Sequence, residues 1–139
     1  MNTARIKTVG RALAIWVPTV LLMLIFLPQG WSKFSDTSGW AVAFRVWGYP
    51  TWFRITIGVL ETLGALSLLW GRTAMLGAAL IIAIMLGGTG THIVKEHGRH
   101  VTSEIVPITL ATVVLVMRWR ARRRERTVAV RSASPQVAA

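Results

Sequence analysis

One acidic side chain stands inside a stretch that otherwise reads as membrane-buried. Glu61 lies near the middle of the apolar run Thr51–Trp70. A charge at the bilayer centre costs roughly 2.5–3.5 kcal/mol on insertion scales, so intramembrane acids are rare and mark function by default. Its helical neighbours at three and four positions are Ile57, Gly58, Gly64 and Ala65. Small residues on that face suit close packing, so Glu61 is expected to point between helices rather than at lipid. Arg54 lies seven residues earlier on the same face, about 10.5 Å along the axis. That is too far for a simple contact, although the long side chain could reach toward the carboxyl. Three roles stay open for Glu61: a structural acid, a holder of the polar head of a small apolar ligand such as a quinone or lipid, or a carrier of protons or ions. On this reading Glu61→Gln preserves folding and weakens ligand retention.

His92 is the only histidine within a predicted span, nearer the surface than Glu61. In one continuous helix His92, Glu96, His100 and Glu104 would share a face at four-residue spacing, and imidazole with carboxylate suits zinc or iron. Gly98 interrupts that row, and Lys95 and Arg99 add positive charge to it, so no metal site is assigned. Haem would want two opposed axial ligands in the membrane, and only His92 is placed for that. The chain has no cysteine, which removes disulfides, iron–sulfur ligation and thiol catalysis. It also has no glycine-rich phosphate loop, Ser/His/Asp set or zinc motif.

These residues need helices in lipid to position them. Of 139 residues, 53% are hydrophobic and 15% charged, with a mean hydropathy of +0.54, against about 25% charged in a typical soluble domain. The apolar residues fall into four runs, Ala12–Leu27, Thr51–Trp70, Thr73–Val94 and Val101–Met117. A membrane helix needs about 20 such residues. The pattern predicts an all-α integral membrane four-helix bundle, with a short interfacial helix in the first outer loop. The membrane domain covers residues 1–119, with spans at about 12–28, 51–70, 73–94 and 101–118, followed by a basic, disordered tail over 120–139. The first run reads as an uncleaved helix: the Ala-x-Ala site at Ala41-Val42-Ala43 lies too far beyond it for ordinary signal cleavage. Pro18 should kink this helix, and Pro28-Gln29-Gly30 should end it. Trp40, Phe44 and Trp47 share one helical face in the first loop, as a lipid anchor or as a cap on a pocket. Ala79, Ala83, Gly87 and Thr91 recur every four residues, as a helix–helix packing stripe would.

Charge distribution sets the orientation. The net charge is +11. Arg5, Lys7, Arg11 and Arg72, with seven arginines from Arg118 to Arg131, make 11 basic residues on one side; five lie on the other. The positive-inside rule places both termini in the cytoplasm. Trp31, Trp40, Trp47 and Trp52 cluster toward the opposite face, while Trp70 and Trp119 fall at cytoplasmic ends, as in an aromatic belt. The basic cluster suits anionic headgroups, and no nucleic-acid partner is expected.

An ordered set of motifs adds a family reading. Gly30-Trp31-Ser32-Lys33-Phe34 forms a G-x-x-K-F element, and Gly48-Tyr49-Pro50 precedes the second run. A G-x-x-E-x-x-G-A-L-x-L-L segment follows from Gly58 to Leu69, and Thr91-His92 closes the third run. Over about Leu21–Val94 this resembles the DoxX-like membrane proteins, small four-helix bundles of bacteria and archaea. The resemblance implies an inner-membrane protein linked to oxidoreductase systems. Some relatives are subunits of thiosulfate:quinone oxidoreductase, and others associate with redox-defence partners. It carries Lys33, Glu61 and His92 over as motif positions, and it leaves any sulfur chemistry to a partner or small molecule. The expected function is a quinone- or lipid-associating subunit of a membrane redox system, an accessory subunit rather than a self-sufficient enzyme. Glu61, His92, Lys33, Tyr49 and Arg54 are the ligand-binding or proton-handling candidates. Quinone is the cofactor considered; membrane lipids, a soluble or membrane redox partner and a second copy of the chain are the partners. A small transporter or channel, and a non-catalytic scaffold for partner enzymes, are the rival readings.

Overall fold

Local turn chemistry doubles the chain back on itself. The computed structural model describes residues 3–98 and 101–133, with side chains over 6–98 and 102–130. Five helices follow in order: α1 Thr3–Ser32, α2 Gly39–Val46, α3 Thr51–Ser67, α4 Ala74–Glu96 and α5 Val101–Ala133. Between α3 and α4 the Thr73 hydroxyl donates to the Ser67 carbonyl at 2.8 Å, and the Ala74 amide to the Trp70 carbonyl at 2.9 Å. The Arg122 guanidinium of α5 donates to the Gly71 carbonyl at 3.0 Å and also to that of Arg72. At the other end α4 stops on His97 and Gly98, both at positive φ, and the Gly98 amide returns to the His92 carbonyl at 3.0 Å. A left-handed pair of this kind terminates a helix and satisfies its last carbonyls.

The long helices α1, α3, α4 and α5 pack in a ring in chain order, and α2 lies against α3. The core is formed by Leu22 and Phe26 of α1, Ala65 and Leu68 at the end of α3, Ala78 and Ile81 of α4, and Ala111 and Val114 of α5. Outward-facing side chains are just as apolar: Leu24, Leu76, Leu86 and Val94 are all more than half exposed. Only 22–28% of each long apolar window is buried. So much exposed apolar surface would be an association hazard in water and fits lipid. The hydroxyls agree: Thr56, Thr62, Ser67, Thr89, Thr109 and Thr112 each donate to the carbonyl four residues earlier, which satisfies them inside their own helix where water is scarce.

The structure departs from the sequence reading in several places. Among the described residues three helices, not four, are long and apolar enough to cross a membrane: α1 over 6–32, α4 over 74–96 and α5 over 102–130. With 17 residues, α3 spans about 25 Å against a hydrocarbon core of about 30 Å. Pro28 lies inside α1, which continues to Ser32. The turn beyond Pro28 carries Gly30 close against α3: a Cβ there would lie 2.5 Å from the Thr62 Oγ1 and 3.0 Å from the Gly58 carbonyl oxygen. The packing stripe of α4 is also rotated. Ala79, Ala83 and Gly87 are exposed, while Ala74, Gly77, Ala78, Ile81 and Met85 are buried. The basic stretch read as a tail continues α5 as helix to Ala133; residues 134–139, like Arg99 and His100, lie outside the described residues.

Candidate ligand chamber

Close backbone approach makes the first half of the site. A Cβ on Gly58 would lie 2.9 Å from the Gly30 carbonyl oxygen and 2.9 Å from the Lys33 Cβ. Glycine at 58 therefore lets the end of α1 press onto α3. One turn further along α3 is Glu61. Its Oε2 accepts from the Lys33 Nζ at 2.7 Å, and each side chain is only 2% exposed. The Trp40 ring of α2 covers the ammonium at 4.0 Å, a cation–π contact that gains strength where water is absent. Another turn along, Gly64 and Gly77 bring α3 against α4. The G-x-x-E-x-x-G spacing thus has a physical reading: one glycine admits α1 and its lysine, the other admits α4, and the acid lies between them. Burial pulls the Lys33 pKa below the ordinary lysine value, against the attraction of Glu61 that raises it.

The second half gathers around His92 of α4. Its Nδ1 is 2.8 Å from the Glu96 Oε2, and its Nε2 is 3.4 Å from the Glu104 Oε1 of α5. Glu104 approaches over Gly88, whose added Cβ would meet that carboxylate at 3.6 Å. A ring with carboxylate oxygens at both nitrogens can donate to both only when doubly protonated. Glu96 also accepts from the Trp47 Nε1 at 3.0 Å, and the Trp47 and His92 rings meet edge-on at 5.4 Å. Among the described residues no group of three or more His, Asp or Glu side chains has metal-binding spacing; His100 of the sequence row lies outside them.

Between the two halves is a cavity of about 430 Å³, lined by Lys33, Glu61, His92 and Glu104, by apolar residues of α3 and α4, and by the aromatic face of α2. Ser38 caps α2 through its side chain, which accepts from the Ala41 amide at 3.2 Å. Phe44 and Trp47 are buried, whereas Trp31 and Trp52 are exposed. Of the four tryptophans assigned to one belt, Trp40 and Trp47 therefore close the chamber, and α2 is a cap. Tyr49 packs tilted against Phe53 with centroids 5.1 Å apart, and its hydroxyl lies 3.2 Å from the Thr91 Oγ1 at the chamber wall. Ala83, Gly87 and Thr91, expected between helices, line the same space.

Four of the five sequence candidates, Lys33, Glu61, His92 and Tyr49, therefore line one cavity. Arg54 does not line it. Its guanidinium donates to the Ser35 carbonyl at 2.6 Å and pairs with Asp36, so it holds the α1–α2 loop. Lys33 neutralises Glu61 instead. Sequence reasoning missed Trp40 as a cover for the ammonium and Glu104 as a cross-helix partner of His92. Replacing Trp47 by Phe keeps the ring but removes its bond to Glu96. A hydrogen bond to a charged group contributes about 1.5–3 kcal/mol, so amide exchange over α2 should accelerate about tenfold or more. Unchanged exchange would show that the bond does not hold the cap.

A family profile described as the DoxX-like family matches residues 17–117, which includes every chamber residue named above. The chain is similar to the "Uncharacterized protein YdgD" of Bacillus subtilis (strain 168), 32% identical over 72 residues, which is 50% of this chain. It spans 63% of that relative's length. No solved structure matches. A profile match across the ring of long helices and their shared chamber places this chain in the DoxX-like family.

Proposed function

We propose that the chamber takes a small, largely apolar ligand with polar groups at opposite ends, a quinone or a lipid of that shape, and that the protein serves a membrane redox system. What carries this reading is the pairing of a buried ammonium with a buried imidazole on separate walls of one cavity. Its volume of about 430 Å³ falls in the range of about 300–1,000 Å³ typical of ligand sites, most of which are apolar with a few placed polar groups. Lys33 donates to an oxygen at one end and is held in place by Glu61 and Trp40. At the other end an oxygen takes the His92 Nε2 in place of Glu104, whose approach of 3.4 Å is long, while Glu96 holds Nδ1 at 2.8 Å. The packed aromatic cluster of Phe44, Trp47 and Phe53 on one side of the cavity suits a ring lying against it. A quinone bound there would exchange two electrons and two protons with its surroundings. The electrons would pass to or from a partner redox subunit, and the chain's own part is to bind, orient and exclude water.

We further infer the membrane arrangement that this role uses. The excess of basic residues at the termini supports a cytoplasmic placement of both ends in the inner membrane. In that frame α3 makes a fourth, short crossing, with Trp52 and Trp70 near its two ends as interfacial anchors.

A direct test is titration of purified protein with a short-chain quinone, followed by quenching of tryptophan fluorescence. Trp40 and Trp47 line the chamber, so quenching should be saturable in the wild type. It should be lost in Lys33→Met/Glu61→Leu, which removes the donor without leaving a charge behind. Equal, non-saturable quenching of both proteins would reject the quinone reading.

A further inference from the structure

The opposite end of the ring holds a second cleft that the chamber does not use. It lies between α1 and α5, measures about 570 Å³, and pairs a basic rim of Arg11, Arg118, Arg120 and Arg124 with an apolar floor that includes Ile15, Trp16 and Met117. Glu125 is its single acidic lining residue, so four guanidinium groups face one carboxylate. The neighbouring arginines are already engaged. Arg122 is spent on the carbonyls of the α3–α4 turn, and Arg123 lies 4.1 Å over the Trp119 ring.

Arg118 differs from both. Its Nε and one terminal nitrogen are buried and have no hydrogen-bond partner, and its guanidinium lies 5.3 Å over the Trp16 ring. A buried donor left unmade is costly, more so when it carries charge. Two such donors on one planar fork match two oxygens of a phosphate. Helix α1 continues upward from the cleft with exposed Val17, Val20, Leu21 and Leu24, a surface along which an acyl chain can lie.

We propose that this cleft is a binding site for one anionic phospholipid, its phosphate held by Arg118 with Arg11 and Arg124 and its chains running along α1. Charge complementarity and the continuous apolar track favour a lipid over a soluble anion. The site is independent of the chamber and of what the chamber binds.

The test uses full-length protein, delipidated in mild detergent and titrated with phosphatidylglycerol, phosphatidylcholine or inorganic phosphate, with bound lipid counted by native mass spectrometry and phosphate binding by calorimetry. Phosphatidylglycerol should bind about one molecule per chain. Its affinity should fall about tenfold in Arg118→Met, the loss expected for charge-assisted hydrogen bonds, and by less in Arg118→Lys, which keeps charge but loses the fork. Arg126→Gln removes one charge outside the cleft and should change little. Arg118→Met removes two buried donors that have no hydrogen-bond partner, so its thermal midpoint should hold or rise in lipid-free detergent. Equal losses in Arg118→Met and Arg126→Gln would mean diffuse attraction and overturn the site. Inorganic phosphate binding as tightly as phosphatidylglycerol would overturn the lipid assignment.

Discussion

Glu61→Gln is expected to destabilise the protein by about 3–5 kcal/mol, the range for removing one partner of a buried ion pair. Glutamine can still accept from Lys33, but it cannot neutralise an ammonium that is 2% exposed and whose nearest other support is the Trp40 ring. This reverses the expectation drawn from sequence, where the one cation considered for Glu61 was the distant Arg54 and an amide looked harmless. Lys33→Met should cost a similar amount, because it strands the carboxylate. The double variant Lys33→Met/Glu61→Leu should recover most of the loss, since well-packed apolar pairs often match or exceed buried ion pairs. Unfolding in detergent by a denaturant series measures this, with wild type, Lys33→Met, Glu61→Leu and the double variant compared as a cycle and Glu61→Gln run beside them. A wild-type midpoint for Glu61→Gln would show that the pair contributes nothing to stability and would remove its role as a fixed anchor.

Gly77→Ala carries the second large effect. The new Cβ would lie 2.6 Å from the Gly64 carbonyl oxygen and 2.9 Å from the Ser67 Cβ. Backbone cannot swing aside as a side-chain tip can, so α3 and α4 must separate. Overpacking of this kind costs about 1–3 kcal/mol. In lipid there is no hydrophobic drive between helices to offset the lost contact. Gly90→Ala is the matched control: it is in the same helix with nothing within 4 Å of an added Cβ, and alanine is favoured over glycine there by about 1 kcal/mol. The two variants should therefore shift the unfolding midpoint in opposite directions. Equal midpoints would contradict the close approach of α3 and α4 that sets the depth of Glu61.

The sequence carried some of this and hid the rest for identifiable reasons. Glu61 could be aimed inward because Gly58 and Gly64 flank it at helical spacing, and helical spacing is a property of one helix. Lys33 lies 28 residues away on another helix's end, where no periodicity relates it to Glu61; only the family motif singled it out. Arg54 was on the right face but one turn too close to the loop, where Ser35 and Asp36 claim it. Gly98 was read as breaking the row from His92 to Glu104, but a break alone does not say where the next helix goes. The break at His97 and Gly98 turns the chain back, so His92 and Glu104 meet across two helices. The aromatic face of α2 was legible, but its direction was not, because a face of Trp and Phe suits a lipid interface and a pocket equally. The stripe on α4 went astray because small residues line a cavity as readily as a helix contact.

The central claim is that the chamber between Lys33 and His92 holds a small apolar ligand. The most direct measurement is mass spectrometry of molecules extracted from protein purified in mild detergent, comparing wild type with Lys33→Met/Glu61→Leu. That variant removes the polar anchor without stranding a charge, so loss of ligand is separable from loss of fold. A stoichiometric quinone or similar molecule in the wild type, absent from the folded double variant, is the predicted result. Identical extracts containing only bulk phospholipid would contradict it, and would leave the Lys33–Glu61 pair as a structural clamp between α1 and α3.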